Sequence, residues 1–281
     1  MRKGRTNGIN LPPVARAAGV VVLLLFLTGS TFTFAQSTRN LTPAQIEIEK
    51  QQQRLSSGSD EEKRDALMRL GAMHVPAASR AALPGLTDVS PMVRAVATKA
   101  ILSLGDDESA AALLPLLNDK DEFVRRETAY ALGATHSKTA TAPLTDRLLN
   151  DKEAGVRGAA AVALGQIADE GAVLALAGTL APELSTPAKS KPKREANEFV
   201  LRAAATALGQ IKSRAGTAAL ISALNNEKFP DDVRREAARS LGLIGDPSAA
   251  SALKTASSSP DPFLSQLAYE SLRKLSREAK P

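Results

Sequence analysis

The feature that most constrains this chain is a unit that recurs about every 31 residues. Aligned on a Val-Arg pair and a later Leu-Gly pair, the units begin EKRDALMRLG, VRAVATKAIL, VRRETAYALG, VRGAAAVALG, VLRAAATALG and VRREAARSLG. A degenerate LSQLAYESLR closes the series. Their first residues are Glu62, Val93, Val124, Val156, Val200, Val233 and Leu264, spaced by 31, 31, 32, 44, 33 and 31. A fixed period of this size means stacked supersecondary units, each too small to bury its own apolar face.

Each unit reads as two helices. Val124, Thr128, Ala131 and Leu132 are three and four residues apart and lie on one helical face. The second helix keeps its own register: Leu113, Leu114 and Leu117 correspond to Leu220, Ile221 and Leu224, and to Leu144 and Leu148. Ser90-Pro91 and Asp261-Pro262 read as an N-cap followed by proline at the first helical position, with Asp121 and Asn197 at the equivalent cap. Gly133, Gly165, Gly209 and Gly242 follow the first apolar face. That is where a helix C-terminus calls for positive φ, so they are expected to end the first helices. The second unit has Leu102 at this site, and Gly105 is expected to end its helix instead. Composition agrees with close helix packing: apolar residues make up 43% of the chain but aromatics only 3%, so Ala and Leu form the core.

The VR..A..ALG first helix with its A..L...L second helix resembles the short HEAT-like repeat first described in phycobilisome bilin lyases, over roughly residues 60–273. The resemblance implies an all-α solenoid of about six to seven two-helix repeats. It is shared by bilin lyase subunits, a di-iron hydroxylase and many scaffolds. The expected organisation is a signal segment (1–35), a polar segment with a capping helix (36–59) and repeats one to four (60–180). A basic insertion (181–196) and repeats five and six with a C-terminal cap (197–281) follow.

The first 35 residues read as a targeting segment. Arg2, Lys3, Arg5 and Arg16 precede an apolar run, Gly19 to Leu27, and Thr33-Phe34-Ala35 then resembles a small-x-small cleavage site before Gln36. The run is shorter than the roughly 20 residues a bilayer span needs. The expectation is a periplasmic or secreted protein with no transmembrane domain after cleavage. An uncleaved anchor is the alternative, since Thr28 to Ala35 would extend the span. The chain carries 36 cations and 30 anions; the targeting segment takes four cations and no anions, so the remainder is 32 against 30, or +2. A general nucleic-acid footprint does not follow from that balance.

Candidate chemistry is sparse. There is no Cys, which excludes disulfides, thiolate metal sites and a Cys nucleophile. The hydroxylase of the resemblance binds iron through His-Glu dipeptides, whereas His74 and His136 precede Val75 and Ser137. They read as exposed turn residues, and no metal or cofactor is expected. Asp106-Asp107 and Asp231-Asp232 read as helix-start residues. Arg94, Arg125, Arg157 and Arg234, with Lys63, form a register-matched ladder expected to pair structurally with Asp88, Asp119 and Asn150. Leu201 breaks the ladder in the fifth unit.

The insertion is the one departure from the period. Pro182, Pro187 and Pro192 oppose helix, and Lys189, Lys191, Lys193 and Arg194 cluster as candidate contacts for an acidic protein, an anionic polymer or lipid headgroups. Phe199 is expected to pack against the repeats. The functional expectation is a non-enzymatic scaffold binding a protein or peptide on the solenoid surface, where the second helices carry few charges. The alternatives are a non-metal, lyase-like enzyme subunit and a binder of an anionic envelope polymer.

Overall fold

The computed structural model describes residues 41–184 and 197–278. The targeting segment and Lys189, Lys191, Lys193 and Arg194 lie outside these. Among the described residues there are fourteen α-helices and no strand. A capping helix, α1 (Pro43–Ser57), precedes the first helices of the units: α2 (Asp60–Ala72), α4 (Pro91–Ala100), α6 (Glu122–Ala134), α8 (Ala154–Ile167), α10 (Glu198–Ile211), α12 (Asp231–Ile244) and α14 (Pro262–Glu278). The second helices are α3 (Pro76–Ala82), α5 (Asp106–Leu113), α7 (Thr141–Asn150), α9 (Val173–Leu180), α11 (Thr217–Asn225) and α13 (Ala250–Ala256), each with an adjoining 3-10 turn. Consecutive first helices pack on one another, and so do consecutive second helices from α7 to α13. This is an all-α solenoid. Among the described residues no helix is long and apolar enough to cross a membrane.

Local signals explain the starts. Thr42 and Ser59 form capping boxes with Gln45 and Glu62. Asp121 accepts from the backbone N–H of Phe123 and Val124, and Asn197 from that of Val200. Asp261 accepts from Phe263 N–H. Ser90 occupies its cap position without a side-chain bond; the Asp88 carboxylate accepts the Ser90 N–H instead. Both acidic pairs open helices, α5 and α12.

The glycines do something other than expected. Gly133, Gly165, Gly209 and Gly242 lie inside their helices. The left-handed residues come three positions later: His136, Ala168, Lys212 and Gly245, with His74 in the first unit. The glycines let consecutive first helices approach. A Cβ on Gly133 would sit 2.8 Å from Ala163 Cα, and one on Gly165 2.8 Å from Ala207 Cα. Gly209 and Gly242 meet Ser240 and Ser271 in the same way, and Gly71 meets Ala100. The unit with Leu102 at this position lacks such a glycine. There α4 stops at Ala100, and Gly105 stands before α5 with an ordinary negative φ.

The core is a continuous stack of Leu and Ala. Leu132 and Leu208 are fully buried at the ends of their first helices. Leu132→Ala is expected to cost about 3 kcal/mol, from lost transfer energy plus the cavity left behind. Because repeat stability is a sum over units and neighbour interfaces, amide exchange should rise most in α4, α6 and α8. Uniform loss of protection from residue 60 to 273 would instead mean one cooperative globule.

Candidate binding surface

The cationic ladder lies along the joints between repeats. Lys63 Nζ is 2.8 Å from Asp88 Oδ2. Arg94 donates from Nε and Nη2 to both carboxylate oxygens of Asp119, at 2.7 and 2.9 Å, and Arg125 to both of Asp151, at 2.8 and 3.0 Å. Each of these aspartates follows the second helix of the same repeat and also accepts a backbone N–H at the start of the next. The third acidic partner is therefore Asp151, one residue beyond the expected Asn150, which instead donates to Asp146. The remaining Nη1 of Arg94 and of Arg125 donates to two carbonyls of the preceding joint, and Arg157 repeats this with Asp151 O and Lys152 O. Arg234 departs from the pattern, since its Nε donates to Leu224 O. The carboxylate clamp of that unit falls to Arg235, which holds Asp261 at 2.8 and 2.9 Å.

The clamps shift the titration of their members. Burial pushes the carboxyls of Asp88, Asp119 and Asp151 up. Hydrogen bonds from Lys63, Arg94 and Arg125, with a backbone N–H each, outweigh it and hold all three below the ordinary carboxylate value. The hydrogen bonds it donates to its aspartate hold the guanidinium of Arg94, and likewise of Arg125, above its usual value. A carboxylate with a depressed folded pKa adds stability that is complete above its unfolded value, and that stability is lost as pH falls through the folded one. Stability should therefore be flat from neutral pH down to about 5 and fall below about 4. Equilibrium unfolding followed by circular dichroism at stepped pH checks this. A fall centred between pH 6 and 7 would contradict it.

Both members of the clamp change in the fifth repeat. Leu201 stands where Arg94 and Arg125 stand. Asn226, the residue capping α11, stands where Asp119 and Asp151 stand. In the fourth repeat the capping position is Ala181, which is fully buried, so the inserted stretch begins packed: Ala181 closes α9, and Pro182–Leu184 form a 3-10 turn. Around these substitutions lies a hollow of about 600 Å³. Its apolar lining is Leu148, Leu149, Leu180, Pro182, Val200, Leu201 and Phe229; Arg157, Gly178, Thr179, Glu183, Asn197 and Asn226 complete it. Leu201 was visible in the sequence as a break in the Arg register. Asn226 and Phe229 carry no such signal, because only the fold brings the end of one second helix against the start of the next repeat.

The hollow is lined by the ends of α7 and α9 and the start of α10, with Arg157 and Glu183 as its charged residues. Neither α9 (VLALAGTL) nor α11 (TAALISALN) contains an ionisable side chain; Leu174 on α9 is exposed, as is Leu149 in the lining. A second hollow, about 450 Å³, lies on the first-helix face between α2, α4 and α6, where α4 ends early. Met68, Val96 and Phe123 line it. Phe199 packs on Gly158 of the preceding repeat, where a Cβ would meet its ring at 2.1 Å. His74 and His136 are exposed in their turns, and the His136 Nδ1 lies 2.9 Å from Gln166 O. Among the described residues no group of three or more His, Asp or Glu is placed to hold a metal ion.

Comparison with known proteins fits this geometry. The family model for HEAT repeats matches residues 48–133, 80–165, 113–184 and 193–273. The chain belongs to the HEAT repeat family. Among solved structures, the E. coli protein YibA aligns with a TM-score of 0.56 at 20% identity, over 83% of this chain and 82% of its own. An engineered protein aligns with a TM-score of 0.50 at 22% identity, over 82% and 68%. The complex of CpcE and CpcF of phycocyanin lyase from Nostoc is similar at a TM-score of 0.45 and 22% identity, over 86% and 94%. At these identities the likeness is one of fold. No curated protein matches the sequence.

Proposed function

We propose that this HEAT-repeat chain is an exported, non-catalytic scaffold that holds a protein partner along its second-helix face. One observation carries the reading: α9 and α11 present an uncharged face with an exposed Leu174, and α9 ends at the hollow of about 600 Å³, whereas most first helices carry several charged side chains. Apolar surface left open at the middle of a solenoid is characteristic of an interaction site. The lack of Cys and of any His-Glu dipeptide supports the non-catalytic part, and the targeting segment with its cleavage-like Thr33-Phe34-Ala35 supports export.

A photo-crosslinking side chain placed at Leu174, and separately at Arg126 on α6, tests the binding face in cells. Adducts with one protein at Leu174 and none at Arg126 are expected. Equal adducts at both, or adducts at Arg126 alone, would move the partner to another face. N-terminal sequencing tests export: the mature chain should begin at Gln36. A chain that keeps residues 1–35 and resists carbonate extraction would be anchored instead.

A further inference from the structure

An internal first helix turns one stripe of residues toward the unit after it and another toward the unit before it. In α8 the forward stripe is Gly158, Ala161 and Gly165, three and four residues apart. Gly158 lies against Phe199, and Gly165 against Ala207, both of α10. The middle position of the stripe is Ala129 in α6, Ala205 in α10 and Ala238 in α12, all fully buried. The rearward stripe of α10 is Phe199, Ala203 and Ala207. Its last position, the one that meets a preceding glycine, is filled along the stack by Ala100, Ala163, Ala207, Ser240 and Ser271, and all five are buried.

The first and last helices of the series depart from this pattern. In α14 the forward stripe is Gln266, Tyr269 and Arg273, all exposed. The Arg273 guanidinium lies over the Tyr269 ring, 5.9 Å from its centroid, and Gln266 donates to Glu270 at 2.7 Å. In α2 the rearward stripe is Glu61, Asp65 and Arg69. The Asp65 carboxylate takes Arg69 at 3.0 Å and Arg54 of α1 at 2.5 Å, and the Arg69 side chain remains 57% exposed, so α1 does not cover it.

We infer that Arg69 and Arg273 keep copies of this chain from joining end to end. If one copy continued the stack of another in the register of the internal joints, α14 would stand before α2, and Arg273 would meet Arg69 at the point of closest approach. Two like charges would lose water there, where the internal joints set a glycine against alanine or serine. Tyr269 adds bulk where α6, α10 and α12 carry alanine. Such a joint would be head to tail, and each added chain would offer a fresh end unless the series closed into a ring. The inference is independent of the binding face proposed above.

Sedimentation equilibrium at stepped protein concentration tests this. The wild type should keep the mass of one chain throughout. The triple variant Arg69→Ala, Tyr269→Ala and Arg273→Gly gives both ends the residues of an internal joint, and its mass should rise to multiples of one chain as concentration increases. All three side chains are exposed, so the variant should fold, and circular dichroism checks that. Arg273→Glu sets opposite charges across the same joint; it should associate at low salt and return to one chain at high salt. Adding Arg69→Glu to it restores like charges and should restore the mass of one chain. A wild type that already associates end to end would overturn the inference, and so would a folded triple variant that keeps the mass of one chain. If the triple variant does not fold, Arg273→Glu decides, and a single-chain mass at low salt overturns the inference. Association of the triple variant only after residues 36–57 are removed would assign the stop to α1 and overturn it as well.

Discussion

Replacing Asp151 by Ala should destabilise the protein by about 4 kcal/mol, because it leaves a buried guanidinium with its main acceptor gone. The Arg125 and Asp151 side chains are only 6% and 2% exposed, so water cannot easily take the place of the carboxylate. Two carbonyl contacts from Nη1 to Asp119 O and Lys120 O remain, which moderates the loss, while the cap on Glu153 N–H disappears as well. Changing both residues, Arg125→Leu with Asp151→Leu, removes the charge with its partner and should cost clearly less than Asp151→Ala alone. Urea unfolding of the two variants and the wild type gives the comparison. A double variant as unstable as the single one would show that the clamp's own attraction, and not the stranded charge, dominates.

Gly165→Val is expected to cost more than about 3 kcal/mol, at the upper end of overpacking effects. Two terms oppose each other at this site. Glycine inside a helix is worse than alanine by about 1 kcal/mol, so any side chain should help α8 locally. Against that, the first side-chain atom would lie 2.8 Å from Ala207 Cα and 2.9 Å from Ala207 Cβ, so the atoms in the way include backbone. Only the Gln210 amide, 2.2 Å from the same point, can swing aside. The interface must open along α8 and α10, and the steric term wins. Gly165→Ala should therefore also destabilise, despite its better helix propensity. Thermal melts of both variants test the ranking, and an alanine variant more stable than wild type would show that the two helices separate at little cost.

The repeat, the helix pairs and most helix starts were legible in the sequence because they depend on spacing and on neighbouring residues. Thr128 and Leu132 define a face without reference to anything distant, and Asp121 and Asn197 cap the chain that follows them. The role of the glycines was not legible. A Gly at the end of an apolar face suits either a left-handed terminus or a close approach, and only the next helix decides. The left-handed positions themselves are filled mostly by His74, His136, Ala168 and Lys212, residues that give no sign of positive φ. The Arg ladder was visible as a register, but its third acceptor, Asp151 rather than Asn150, depends on where α7 ends. The hollow was half legible: Leu201 broke a pattern, whereas the matching change at Asn226 lies 25 positions away in sequence.

The close approaches also have a direction. Ala163, Ala207, Ser240 and Ser271 receive the glycine of the unit before them; the first three stand two residues ahead of the glycine their own helix offers to the unit after it. Every such helix thus carries a matched male and female face, like couplings on railway carriages. A unit lifted out whole, or copied, would leave ends that still join. A protein of this build can therefore lengthen or shorten by recombination within its gene without redesigning a single joint, provided the cut falls between a receiving residue and the glycine that meets it. The exceptions are the last helix, α14, which has Arg273 at the glycine position, and the unit with Leu102, whose forward coupling is missing; duplication of the latter would propagate the broken helix and its hollow along with it.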